Sequence, residues 1–335
     1  MFQKIGLFIL LFFYILKINA QESIRFERIT IRDGLSQNTI TCILQDRMGY
    51  LWIGTLDGLN KYNGLDFEVY KNEIDNPRSL QSNLISALFE DSEGNLWVGT
   101  RKGLHFFNKA REEFILIVDS ALNPNGNRVT NIIEDKNKQL WISYEGNGIA
   151  KLDLKEDKKQ LKSYVHVPNY ANSLPNNNIY ALFYDKNLLW IGAEVPQLIS
   201  FDTEKEQFQN YPYPVFSKEG DALLHIASDD KGQMWIGTAT NGIFMFNDRK
   251  KEFLPFHSEN PLLKGYGIEQ IFHLPNGDMW IATQGNGLIK YDKAKDLFAT
   301  YQFDATNPTS LSNNDVNVLL KINQAYYGLG LIMEV

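Results

Sequence analysis

Cysteine is almost missing from this chain of 335 residues. Cys42 is the only one, so no disulfide can form within the chain in any redox compartment and the fold must stand on its packing. In the apolar string "TITCIL" Cys42 reads as a small buried hydrophobe rather than a reactive thiol. An excess of positive charge is missing too. The 33 Lys and Arg are outnumbered by 40 Asp and Glu, for a formal net charge of −7. With no long basic run, a nucleic-acid partner is excluded as the main one, because phosphate binding draws on clustered cations.

Long apolar runs are confined to the first twenty residues, "MFQKIGLFILLFFYILKINA", with Lys4 ahead of Ile5 to Leu16 and Ala20 at the end. That run is about twelve residues, against the roughly 20 needed to span a bilayer. Residues 1–20 therefore read as a secretory signal peptide, removed to leave an exported, soluble, periplasmic domain over 21–335 with no membrane span. Catalytic signatures are lacking as well. No G-x-S-x-G string, P-loop or dinucleotide fingerprint is present. The five histidines, His105, His166, His225, His257 and His273, show no metal-ligand spacing. Turns such as "DRMGY" and "DSEGN" are too short for a calcium loop. No cofactor and no metal are expected. Acid pairs brought together from distant loops, as in a propeller-fold lyase or glycoside hydrolase, remain the alternative that motif searching does not test.

What the chain does have is a repeat. Trp52, Trp97, Trp141, Trp190, Trp235 and Trp280 stand at spacings of 45, 44, 49, 45 and 45, each inside a variant of "LWIGTLDGL". A period near 45 without helical patterning predicts propeller blades of four strands. Upstream runs such as "ISALFED" supply an inner strand buried on both faces, and the Trp strand comes second. Gly58, Gly103, Gly148, Gly242 and Gly287 supply the left-handed turn into a third strand. A fourth strand carries an aromatic residue, as at Phe67 and Tyr70. The mid-strand Trp, flanked by apolar neighbours in every copy, is assigned to packing between blades rather than to sugar stacking.

A fourth-strand signature also precedes the first Trp, in "FERI" from Phe26 to Ile29, and "SLSNNDVNVLLKI" from Ser310 restarts the inner-strand pattern. The expected fold is therefore all-β: a seven-bladed β-propeller of four-stranded blades, with six complete blades and a seventh shared between the two termini. That last blade is expected to be incomplete, because Gly328 stands where a seventh Trp belongs. The tail reads either as a truncation of a longer family member or as a C-terminus altered by a shifted reading frame.

The string "DxxGxLWIGTxxGLxxY", as in "DRMGYLWIGTLDGLNKY" and "DSEGNLWVGTRKGL", with "DGLSQNTI" ahead of it, closely resembles the two-component regulator propeller. Such domains are periplasmic sensors of hybrid two-component histidine kinases in Bacteroidetes. The resemblance implies a ligand sensor without kinase activity of its own, responding to oligosaccharides released from polysaccharides. It implies as partners an oligosaccharide and either a second copy or a second propeller. It transfers no binding residue.

Candidates for contact come from the face formed by the interblade loops and the hairpins after each Trp. They are Arg78, Arg101, Arg128, Tyr144, Glu145, Glu194, Tyr213 and Gln284, with blade four singled out because "AEVPQL" lacks the glycine of its siblings.

Overall fold

The computed structural model describes residues 24–117, 128–155, 161–214, 221–321 and 331–334. The segment read as a signal peptide and Gly328 lie outside them. Among the described residues the chain forms six antiparallel four-stranded sheets in succession, each pairing its strands in sequence order. Blade one is typical: Ile40–Gln45, Leu51–Thr55, Gly58–Tyr62 and Phe67–Tyr70.

The innermost strands build the axis. Ile40–Gln45, Ile85–Glu90, Val129–Glu134, Ile179–Asp185, Leu223–Ser228 and Gly267–His273 each lie against the next, and Val318–Lys321 fills the gap between the sixth and the first. Seven strands thus close the ring around the axis, and among the described residues six of them carry a complete blade. The seventh position holds a two-stranded sheet in which Val318–Lys321 pairs with Leu331–Glu334.

The expectation of a seventh four-stranded blade closed by Phe26–Ile29 is corrected accordingly: that segment is not a strand. A strand needs a hydrogen-bonding neighbour, and the described residues place no third strand beside it. Its location is nevertheless that of an outer strand. The Phe26 N–H donates to the Thr309 carbonyl at 2.9 Å, as the outer-strand Phe114 N–H of blade two donates to Arg78 at 2.8 Å. Phe26 meets Tyr301 edge-on at 5.9 Å, as Phe114 meets Tyr70 at 5.4 Å. The Arg28 guanidinium donates to the Ser310 and Leu311 carbonyls at 3.1 and 2.9 Å.

The tryptophans pack. All six are less than a tenth exposed, Trp97 and Trp141 completely so. Trp52, Trp141 and Trp190 each meet a third-strand phenylalanine of the following blade, Phe107, Phe201 and Phe246, at 5.4 to 5.6 Å. A buried indole N–H needs an acceptor. In blades one, two, three and five it is the turn aspartate six residues earlier: Asp46, Asp91, Asp135 and Asp229, at 2.8, 2.8, 3.0 and 3.4 Å. The repeated turn acid therefore serves the repeated Trp.

The second strand passes so close to the next blade that its glycine two residues after the Trp, in blades one, two, four and five, leaves almost no room for a side chain. A Cβ on Gly99 would come within 2.6 Å of Val129 Cγ1 and 2.9 Å of the Ala87 Cβ. Gly99→Ala is expected to cost about 1–3 kcal/mol through overpacking of a seam that cannot spread without opening the ring, measurable as a lower midpoint in urea unfolding. An unchanged midpoint would show the seam to be looser than its distances.

Candidate functional site at the propeller axis

Backbone bonds tie each hairpin after a Trp strand to the loop entering the same blade or the next: Arg101 to Leu84, Glu145 to Arg128, Glu194 to Asn178 and Gly58 to Asn83, at 2.7 to 3.2 Å. The long loops on this face are pinned rather than free. In the loops before blades two, four and seven, Ser79, Ser173 and Ser310 accept the N–H of Glu73, Val167 and Asp304. Asn83, Asn177 and Asn314 accept those of Asn72, His166 and Phe303. Leu80, Leu174 and Leu311 then plug the core. These loops are held by the same side-chain-to-backbone turns three times over, which makes them scaffold.

The eight sequence candidates divide. Tyr144 and Tyr213 are core residues, 1% and 4% exposed. Tyr144 occupies the place that threonine holds in four other blades, where Thr55, Thr100, Thr238 and Thr283 donate to the carbonyl of the hairpin glycine. Tyr213 packs on Phe244 and Phe253, its hydroxyl donating to Asp221 at 3.2 Å. A large aromatic at a loop boundary was read from sequence as accessible, whereas burying its area against neighbouring rings is favoured. Arg78 is exposed and pairs with Glu113 at 2.7 Å, and Arg101 and Gln284 are exposed on their hairpins.

Arg128, Glu145 and Glu194 do come together. Arg128 and Glu145 pair at 3.4 Å. All three act on Tyr180, whose phenol is pushed above its usual pKa by burial first and by Glu194 and Glu145 next, with Arg128 opposing. Tyr180 was not among the sequence candidates.

It belongs to a ring of seven equivalent positions. Each inner strand of blades one to six is bulged near its start, where one extra residue stands out of register: Thr41, Ser86, Thr130, Tyr180, Leu224 and Glu269. Asn317 holds the corresponding place in the seventh. Thr41, Ser86, Thr130 and Asn317 each donate to the backbone carbonyl of the residue entering the next blade, Ile85, Val129, Ile179 and Ile40, at 2.6 to 2.9 Å. Gln270 adds a two-way bond to the Leu319 backbone at 3.1 and 2.6 Å. Blades four, five and six depart from the rule, and there a cavity of about 280 Å³ opens, lined by Thr130, Tyr180, Leu224, His225, Glu269 and Gln270 among others.

Glu269 is raised above the usual carboxylate range by burial and then by the neighbouring charge of Asp315. Burial holds His225 down at about 4, so its imidazole is neutral near pH 7, and its Nε2 is buried without a partner. Among the described residues no group of three or more His, Cys, Asp or Glu is placed to hold a metal ion. Away from the cavity, Cys42 lies against Gly54 on a blade seam and burial pushes its thiol up to about 12, which suppresses thiolate chemistry.

The missed residues had a visible signal. The second position of the inner-strand run is Thr or Ser in "ITCI", "ISAL" and "VTNI" but Tyr, Leu and Glu in "IYAL", "LLHI" and "IEQI".

Residues 34–57 and 79–102 match the model of the two component regulator propeller. An 81-residue stretch is 42% identical to histidine kinase P4 of Formosa agariphila, covering 23% of this chain and 6% of that protein. The fold is similar to the extracellular domain of a hybrid two component system of B. thetaiotaomicron, with a TM-score of 0.74 and 25% identity over 89% of this chain and 39% of that one. It is also similar to virginiamycin B lyase from Staphylococcus aureus, with a TM-score of 0.65 and 16% identity over 92% and 94% of the two chains, a likeness of fold alone. The chain thus spans well under half the length of the two sensor relatives. The first two of the six tryptophan repeats, then, match the two component regulator propeller.

Proposed function

We propose that this chain is the ligand-sensing propeller of an exported two-component sensor, with the ligand entering the axial mouth of the loop face. The observation that carries the reading is the convergence of Arg128, Glu145 and Glu194 around Tyr180, over a cavity in the blades that abandon the interblade bond. A neutral oligosaccharide suits such a mouth, since mixed charges and hydroxyls bond sugar hydroxyls while a tyrosine ring covers a sugar face. Residues 1–20 direct the chain to the periplasm and are removed. The output passes to a second copy of the chain or to a second propeller, and completion of the seventh blade would make the ring one of seven full blades. The chain binds and does not turn its ligand over. Titration calorimetry against a panel of glycan oligosaccharides tests this: a ligand is expected to bind unchanged, and to bind more weakly to Tyr180→Ala. A folded protein that ignores every glycan would refute the oligosaccharide reading.

A second reading is a propeller lyase or glycoside hydrolase, for which the Glu269 carboxyl, lining the cavity and raised mainly by burial, is the available acid. Release of product from a polysaccharide panel, lost in Glu269→Gln, would replace sensing by catalysis.

A further inference from the structure

The bulge position offers a criterion for function that is independent of the loops. Where it holds Thr41, Ser86, Thr130 or Asn317 it bonds one blade to the next. In three consecutive blades it is given instead to Tyr180, Leu224 and Glu269, which make no such bond among the described residues, and all three line the same cavity. Residues relieved of the structural duty of their position, side by side, mark a place built for something else.

The unsatisfied chemistry there is acidic. No cation and no hydrogen-bond donor among the described residues meets the Glu269 carboxylate, and the charge that acts on it is Asp315, another acid. The charges that most affect Tyr180 are again acids, Glu194 and Glu145, while Arg128 is occupied by Glu145 at 3.4 Å. His225, facing the cavity from blade five, is neutral near pH 7 and repels no cation.

We propose that the axial cavity is a binding site for a compact ligand group carrying a protonated amine, paired with Glu269 and covered by the ring of Tyr180. A carboxylate partly withdrawn from water and repelled by a second, exposed one gains most from an arriving cation, because like-charge repulsion is exchanged for attraction. An ammonium–carboxylate hydrogen bond is roughly twice as strong as a neutral one, and the face of an aromatic ring adds attraction for a cation. Burial first, and then the same repulsion, raise the Glu269 carboxyl above its usual range. The volume, about 280 Å³, lies just below the roughly 300–1,000 Å³ of small-molecule pockets, so one ring-sized group enters and a chain does not. The inference deepens the sensing reading above, on which it rests: the amine would be the end group of the ligand that the loop face takes.

Calorimetry on the whole chain in phosphate buffer, with two matched pairs of probes, tests it. The pairs are glucosamine against glucose, and tris(hydroxymethyl)aminomethane against its neutral analogue pentaerythritol. The ammonium member of each pair is expected to bind about tenfold tighter or more. Glu269→Gln keeps the shape, removes the charge and breaks no bond of the fold, so it should fold as the parent does and lose that preference. Equal binding within the pairs, or a preference that survives Glu269→Gln, would overturn the proposal. If the preference fails while glycan oligosaccharides still bind, the amine site alone falls. If both amines bind through Glu269 and no glycan does, the oligosaccharide reading falls and the amine site stands.

Discussion

Trp97→Ala is expected to cost the fold about 3–5 kcal/mol, the range for emptying a fully buried tryptophan site. The side chain is 0% exposed and packs on Phe106 at 5.3 Å. Its loss does more than open a cavity. Asp91, itself 0% exposed, accepts the Trp97 indole N–H at 2.8 Å. Burial works to raise the Asp91 carboxyl, but the indole, the Asn95 side chain and two backbone N–H groups outweigh it and hold it below its usual value. Removing the indole leaves that carboxylate with less compensation for its burial. Trp97→Phe separates the two effects, since it refills most of the volume and restores none of the hydrogen bond. It should recover the larger part of the loss and leave about 1–2 kcal/mol unrecovered. Urea unfolding of the three proteins measures both quantities. A loss below about 1 kcal/mol for Trp97→Ala would mean that the seam relaxes around the void, contrary to close packing.

Acidification should destabilise the fold before the carboxylates titrate. Burial holds His105 at about 4 against the usual 6.5, and His225 likewise. The His105 ring is 0% exposed, with Nε2 accepting the Gln81 N–H at 3.2 Å. Both pKa values are lower in the folded chain than in the unfolded one, so on acidification the unfolded chain takes up the proton first. Their contribution is therefore complete above pH 6.5 and is lost as the pH falls from 6.5 towards 4. A shift of that size corresponds to about 3 kcal/mol for each group when the loss is complete. His273, lowered mainly by burial, adds in the same direction. Further down, Asp91 begins to lose its share, because its folded pKa also lies below the unfolded one and its stabilisation disappears only as the pH falls through the lower value. Urea midpoints taken from about pH 7 down to about pH 4.5 should fall steadily. His225→Leu should flatten the profile by the share of one group. A flat profile in the parent would contradict neutral buried imidazoles.

Much of this was legible beforehand, for a reason particular to repeats. A residue type that recurs at one register in every blade reports a demand common to all blades, so the Trp, the turn Asp and the hairpin Gly could be assigned to packing and turns without coordinates. Gly148 and Gly287 show how strict the demand is: both have positive φ, and a Cβ on either would collide with the carbonyl oxygen of Tyr164 or Tyr301. The candidate site was legible only in part. Arg128, Glu145 and Glu194 are candidates readable from the sequence whose charges the structure brings to bear on one residue, Tyr180. Tyr144 and Tyr213 are buried, which the sequence does not show, since side-chain size and loop-edge position do not reveal which way a ring turns. Tyr180, Leu224 and Glu269 were overlooked because each sits within an apolar run that reads as a plain inner strand.

The sequence by itself determined the blade, its four strands, the count of six complete copies and the packing role of tryptophan, because each rests on contacts local to one repeat or identical between neighbours. Only the tertiary structure decided how the ring ends and where it opens. Seven inner strands enclose the axis although six blades are whole, and Phe26 reaches the place of an outer strand without pairing as one. The cavity is lined at the bulges of blades three to six, joining side chains as far apart in the chain as Thr130 and Glu269. Convergence across that separation is set by closure of the ring, and no spacing within a single repeat encodes it.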